Sequence, residues 1–317
     1  MGETTVAPST GTPTGGPRGT PPSDTPWAIS GGDLPTRLLV LGMAHEDGTI
    51  RADEVFPVAE ACARSPEQVR SCLRRLVAEG LFVREGVGQS AVYRATEDGL
   101  AALGASAERT RLAHVQDRAG RAWDGSWHLA AFAIPEARRP ARDALRDHLG
   151  GLGGAPVHNG LYVSPHAWEK DVTAEAERLG VAEHLTLAAT RTLTVGGVRE
   201  PTALARRLWP LDELAARYRD FLDRWSHVPE GLAQLRRARQ PLPDSAFLPG
   251  ALAMGVAYAA CFEADPLLPP ELLPQPWPGR AARDLMVRSR RLALEIRAEH
   301  DRPPLFRAYD DVIAALP

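Results

Sequence analysis

Residues 65–99 read SPEQVRSCLRRLVAEGLFVREGVGQSAVYRATEDG, and the order of residue types in this stretch decides the N-terminal fold. Ser65, Pro66 and Gln68 make a helix start: a capping hydroxyl, a proline at the first helical position, and an amide three places on that completes a capping box. Val69, Cys72, Leu73, Leu76 and Val77 recur at spacings of three and four, which predicts one buried stripe. Gly80 marks the stop. Beyond it LFVREG and SAVYRAT read as two strands joined through Gly86, Val87, Gly88 and Gln89, a hairpin by residue type and spacing.

Working outward, PTRLLVLGM (35–43) and ADEVFPVAEACA (52–63) read as two earlier helices, the second interrupted or started by Pro57. Three helices and a hairpin is the order of a winged helix-turn-helix. On the third helix Gln68, Ser71 and Arg75 share the side opposite the apolar stripe, with Arg74 and Arg70 beside them. Arginine pairs with both major-groove acceptors of guanine and glutamine with adenine, so these are the candidate base readers. Arg84 and Arg94 stand on the two arms of the wing, Gln89 and Ser90 at its tip, and Arg64 just before the helix cap. These suit phosphate or minor-groove contacts. A solvated arginine-rich face is the bland alternative.

The charge balance makes this basic character local. Between residues 64 and 94, six arginines oppose Glu67, Glu79 and Glu85 and leave +3, whereas the 317-residue chain carries −3. That argues against a general polyanion binder. Length permits two or three domains, and no apolar run approaches the roughly 18–20 residues of a membrane span.

Five segments follow from composition and pattern. Residues 1–30, rich in Thr, Pro, Gly and Ser, are expected to be a disordered tail without a secretory signal. Residues 31–104 form the winged-helix domain, and 105–122 a linker helix. Residues 123–200 alternate strand and helix: SWHLAAFAIP, a helix stopped by the glycines of GGLGGAP, APVHNGLYVSP, a second helix started near Pro165, and EHLTLAATRTLTV as one strand or two. This suggests an α+β sandwich of the ferredoxin-like kind. Residues 201–317 read as an all-helical domain, and no repeat of about 20–50 residues is visible.

Here the residues become familiar. The segments LRRLVAEGLFVREGVGQSAVYRATEDGLAAL (73–103), WDGSWHLAAFAIPEARRPARDALRDHLGGLGGAPVHNGLYVSP (123–165) and DPLLPPELLPQPWPGRAARDL (265–285) resemble the PaaX-type family, repressors of phenylacetic acid degradation. The resemblance implies an N-terminal winged helix, a central domain like the Cas2 fold and a helical C-terminal domain. It also implies an effector, a phenylacetyl-coenzyme A thioester in the founding members. One departure is the short loop AHEDGTIRADEVFP between the first two helices.

Catalysis is not expected. Nucleases of the Cas2 fold place an aspartate at the end of the first strand, where this chain reads Phe132, Ala133, Ile134, Pro135 and then Glu136. The nine histidines are dispersed without ligand spacing, so neither metal nor cofactor is expected. Cys62, Cys72 and Cys261 fit a reducing cytoplasm and read as small buried apolar residues.

The remaining two hundred residues are expected to sense and to pair. Trp123, Trp127, His128, Tyr162, Trp168 and Trp209 are the richest supply of aromatics for a small-molecule pocket, with Arg121, Arg138 and Arg139 near for an anion. Plain core packing is the alternative for each aromatic. The stripe Leu285, Leu292, Ile296 offers a surface for a homodimer that would match an inverted-repeat operator. The expected protein is a cytoplasmic, metabolite-responsive transcriptional regulator, more a repressor than an activator. A nucleic-acid-processing enzyme built on the central domain and a winged-helix interaction scaffold are the competing readings.

Overall fold

Three helices and a three-stranded antiparallel sheet build the N-terminal unit. A computed structural model of the chain describes residues 34–119, 123–239, 244–297 and 305–314, so the expected tail and Arg121 lie outside the described residues. The unit runs α1 (Leu34–Gly42), β1 (Thr49–Arg51), α2 (Ala52–Ala61), α3 (Pro66–Ala78), β2 (Phe82–Glu85) and β3 (Val92–Ala95), with β3 central in the sheet. Val69, Cys72, Leu73 and Leu76 of α3 are buried together with Leu39 and Val40 of α1, Val55 and Val58 of α2, and Phe82 and Tyr93 of the sheet. Val77, expected on this stripe, is 36% exposed because the last turn of α3 runs past the core. Pro57 leaves α2 continuous, sitting exposed in its interior where the hydrogen bond it removes faces solvent.

From the sheet the chain enters α4 (Glu97–Ala119), which starts earlier than the expected linker helix. The central unit follows as β4 (Trp127–Phe132), α5 (Arg139–Gly151), β5 (Ala155–His158), β6 (Leu161–Ser164), α6 (Glu169–Arg178) and β7 (Leu185–Thr190). Its strand order is β5-β6-β4-β7, all antiparallel, which is the ferredoxin-like plait. The second expected strand is thus two strands folded back on each other. Gly160 makes the turn possible: its φ is +76°, and a Cβ there would sit 2.4 Å from the Phe132 carbonyl oxygen.

Strand alternation gives the plait two covered faces. Ala130, Phe132 and Tyr162 pack on Leu145 and Leu149 of α5 and Val172 of α6. Trp127, Leu129 and Val163 point the other way, into a core shared with the C-terminal helices. These are α7 (Pro201–Leu208), α8 (Leu211–Trp225), α9 (Val228–Arg237), α10 (Asp244–Phe262), α11 (Pro278–Arg297) and α12 (Asp310–Ala314).

The stripe expected at a dimer surface is turned inward instead. Leu285 belongs to the core of the plait and helices, and Leu292 and Ile296 pack against the N-terminal core. The three cysteines are buried, and burial pushes the Cys62 and Cys261 thiols up to about 11. No helix of the described residues is long and apolar enough to cross a membrane.

Candidate nucleic-acid interface

The start of α3 is fixed by its own side chains. Ser65 is extended, its Oγ accepts from the Gln68 N–H at 3.2 Å, and Gln68 Oε1 accepts from the Ser65 N–H at 2.8 Å. The reciprocal box satisfies two amides that the helix itself leaves orphaned. Ala63, at φ +54°, turns the chain between α2 and α3. At the other end Arg37 of α1 donates to both carboxylate oxygens of Glu79, at 2.9 and 2.7 Å. The helix is therefore held at both ends as well as along its buried side.

Two stripes occupy its outer surface. Gln68, Ser71 and Arg75 form one, with Gln68 and Arg75 exposed and Ser71 half-buried. Glu67, Arg70 and Arg74 form the other. Glu67 accepts from Arg74 at 2.9 Å and lies 3.6 Å from Arg70, and the Arg74 hydrogen bond and charge hold its carboxyl below the usual value. The Arg70 guanidinium also sits over the Phe56 ring of α2, 5.6 Å from its centroid. Gln68 has part of its amide committed to the cap. Arg64 is half-buried and donates from Nε to the Cys62 carbonyl at 3.3 Å, so it braces the turn.

On the hairpin, cross-strand register places Arg84 opposite Tyr93 and Arg94 opposite Val83. The two arginines therefore leave the ribbon by opposite faces. Arg94 donates from Nε to Glu85 at 3.3 Å, while Arg84 is exposed and makes no ion pair among the described residues. Gln89 and Ser90 are exposed in a short 3-10 turn at the tip, where the Ser90 hydroxyl donates to the Val87 carbonyl. Arg51, exposed at the end of β1 and on the same face as Arg94, escaped the sequence reading. A three-residue strand carries no periodicity that would have placed it.

Comparison with known proteins places the central and C-terminal domains. The model of the PaaX protein central Cas2-like domain matches residues 120–205, and that of the PaaX-like protein C-terminal domain matches 209–300, together more than half of the chain. The chain belongs to the PaaX family. The transcriptional repressor PaaX of Escherichia coli (strain K12) is 26% identical over 260 residues, covering 82% of this chain and 79% of that one. Among solved structures, the uncharacterized protein Rv0674 from Mycobacterium tuberculosis is similar at 21% identity and a TM-score of 0.49, covering 82% of this chain and 95% of that one.

In this PaaX-family chain the Cas2-like domain ends β4 at Phe132, and Glu136 beyond it accepts from Arg142 at 2.7 Å. Among the described residues no group of three His, Cys, Asp or Glu is placed to hold a metal ion. The aromatic set expected to line a pocket is divided by the sheet. Trp127 lies 5.1 Å from Trp123 and 6.4 Å from Trp209, ring to ring, on the face toward the C-terminal helices. Tyr162 and Trp168 lie on the opposite face, Tyr162 stacked on Phe132.

Period-two alternation forces this separation, because neighbouring strand residues cannot share a face. Trp123 and Trp209 donate their indole N–H groups to the Ser126 and Gly153 carbonyls, and His128 Nδ1 meets Glu169 at 2.6 Å. Arg138 and Arg139 are exposed around the start of α5. Arg138 donates to the Gly180 carbonyl, and Arg139 lies 3.5 Å from Asp143. The structure does not bring the eight described residues of this set to one cavity; Arg121 lies outside the described residues.

Proposed function

We propose that this chain is a sequence-specific DNA-binding transcriptional repressor. Its N-terminal unit then acts as a winged helix-turn-helix, with α3 in the major groove and the β2–β3 hairpin against the backbone. One observation carries the reading: α3 buries Val69, Cys72, Leu73 and Leu76 while Gln68, Arg70, Arg74 and Arg75 stand exposed on its other side. Family membership and the repressor relative support the same reading, and favour a regulator over an enzyme.

As a homodimer the protein would present two copies of α3 about one helical turn of DNA apart, matched to an inverted repeat. Phosphate neutralisation would supply most of the affinity, so binding falls steeply with salt. A small metabolite, of the aromatic-acid or acyl-thioester kind that the family suggests, modulates operator binding in the cytoplasm. Sequencing genomic fragments retained by the purified protein yields the operator. On that operator, Arg75→Ala at fixed salt is expected to cost roughly 1–3 kcal/mol of binding and to relax preference at one base position. Unchanged affinity and preference would overturn the assignment of α3 as reader.

A further inference from the structure

Helices α8 to α11 and the segment that follows line a half-open cavity of about 580 Å³ whose wall includes Trp225, Leu232, Phe247, Met254, Met286 and Phe306. None of the eight described residues that the sequence pointed to lines it. The size suits a small organic molecule, and the two methionines give the wall an adaptable surface. Two polar atoms in this lining are buried without a partner among the described residues: the Ser289 hydroxyl, on a side chain 94% buried, and the Trp225 indole N–H. Both can donate, so a ligand acceptor that reached them on a small side-chain rotation would relieve a cost the protein otherwise carries. Arg290 is the one cation among the described lining residues, and its guanidinium already donates to both oxygens of Asp310, at 2.8 and 3.0 Å. Neither a carboxylate nor the phosphates of a coenzyme A finds a matching charge there.

The same wall touches the DNA-binding unit. Phe306 closes the cavity and presses on glycines of two helices: a Cβ on Gly42 of α1 would lie 2.7 Å from its ring, and one on Gly255 of α10 2.9 Å. Its N–H donates to the Gly42 carbonyl at 2.6 Å. The next residue, Arg307, donates to the Met43 carbonyl at 2.9 Å and to Glu54 of α2 at 2.7 Å. Leu232, Phe247 and Ala293, also in the wall, belong to the core that holds α3.

We propose that this cavity is a regulatory site for a neutral aromatic molecule carrying a carbonyl or similar acceptor, and that its occupancy, by displacing Phe306 against α1, changes operator affinity. The second half rests on the reading of the chain as a DNA-binding repressor. For this cavity it replaces the acids and acyl thioesters that the family suggests with neutral aromatic acceptors.

The test uses the full-length protein and the fluorescent aryl ketone 6-propionyl-2-dimethylaminonaphthalene. Saturable, blue-shifted emission is expected from the wild type. Gly250→Trp should weaken binding by roughly tenfold or more, because Gly250 lines the cavity and a Cβ there meets nothing within 4 Å, which leaves the fold intact. Ser289→Ala should weaken it by about three- to tenfold, the worth of one hydrogen bond. Saturating probe should shift operator affinity at least severalfold in the wild type and not in Gly250→Trp.

Absence of saturable binding, or binding indifferent to Gly250→Trp, overturns the site. Loss of self-association in Gly250→Trp without probe binding assigns the cavity to a second copy of the chain and likewise overturns it. Probe binding with unchanged operator affinity overturns the coupling. If no duplex is bound by any variant, the repressor reading fails, while the fluorescence titration still judges the cavity.

Discussion

Arg283 of α11 donates from Nε and Nη2 to the two carboxylate oxygens of Asp117 in α4, at 2.6 and 2.8 Å. Around this pair Asp265 lies 3.5 Å from the Arg283 guanidinium and accepts from the buried Tyr218 hydroxyl at 2.8 Å. Arg109 of α4 reaches the Phe262 and Asp265 carbonyls and covers the Phe262 ring. The helix between the N-terminal and central units is thus fastened to the C-terminal helices by a buried ionic network, beside a small apolar cluster of Ala113, Phe262 and Leu267. Burial alone would pull the Arg283 pKa down, and the hydrogen bonds and charge of Asp117 with the charge of Asp265 raise it instead. Arg283→Ala leaves two buried carboxylates uncompensated and is expected to cost about 3–5 kcal/mol, read as a fall in the urea midpoint. Arg283→Lys, which keeps the charge and loses the fork, should retain part of that stability.

The contact of the C-terminal segment with α2 is pH-dependent in a definite direction. Burial alone would raise the Glu54 carboxyl, but hydrogen bonds from Arg307 and His45, at 2.7 and 2.8 Å, hold it below its ordinary 4.5. A carboxyl depressed in the folded state contributes stability that is complete above its unfolded pKa and is lost as pH falls through the folded one. The hydrogen-exchange protection factor at residues 305–310, corrected for the intrinsic pH dependence of amide exchange, should therefore be flat from neutrality down to about pH 5 and fall below the ordinary carboxyl range. Glu54→Gln should exchange faster at neutral pH and lose that acid dependence; an unchanged profile would dissociate Glu54 from the C-terminal segment.

With α3 as the proposed reader, Glu67 is the carboxylate on its exposed side that would oppose DNA binding. Its carboxylate engages both Arg70 and Arg74, so their charge is partly spent within the helix. Glu67→Gln should tighten binding to operator and non-specific duplex alike, and steepen the dependence of log K on log salt by about one. Fluorescence anisotropy at several salt concentrations reads both. Equal slopes in the two proteins would mean that the Glu67 stripe faces away from the duplex.

What the sequence made legible follows from where the signal is local. The α3 start was readable because cap, proline and box partner lie within four residues, and its buried side because the period holds for nearly three turns. The hairpin was readable from its two strand-like runs and the glycines between them. By contrast β1 is three residues long, and APVHNGLYVSP looks like one strand because its turn is a bare Asn159–Gly160 pair within an apolar run. The aromatic residues expected at one pocket lie on two faces of the sheet, since facing is set by register that no single strand announces. The cavity was invisible for a stronger reason: Trp225, Leu232, Met254, Met286 and Phe306 come from four helices and a terminal segment about eighty residues apart in sequence. None of them departs from an ordinary helical apolar pattern.

The capping box lets stability be separated from base reading at one position. Gln68 lies on the candidate reading stripe, yet its Oε1 is bound to the Ser65 N–H. Removing the other half of the box with Ser65→Ala should cost about 1 kcal/mol of folding stability and weaken operator binding without altering which base is preferred, because Ser65 only sets where α3 begins. Gln68→Glu keeps the acceptor for the cap, so stability should hold. It replaces an amide able to donate with a carboxylate, which repels phosphate and reverses the hydrogen-bonding pattern offered to a base. Loss of operator binding in Gln68→Glu at wild-type stability assigns Gln68 to the duplex as well as to the cap. If binding in Gln68→Glu stays at the wild-type level, its contribution is confined to the helix start, and Ser71, Arg74 and Arg75 are left to specify the sequence.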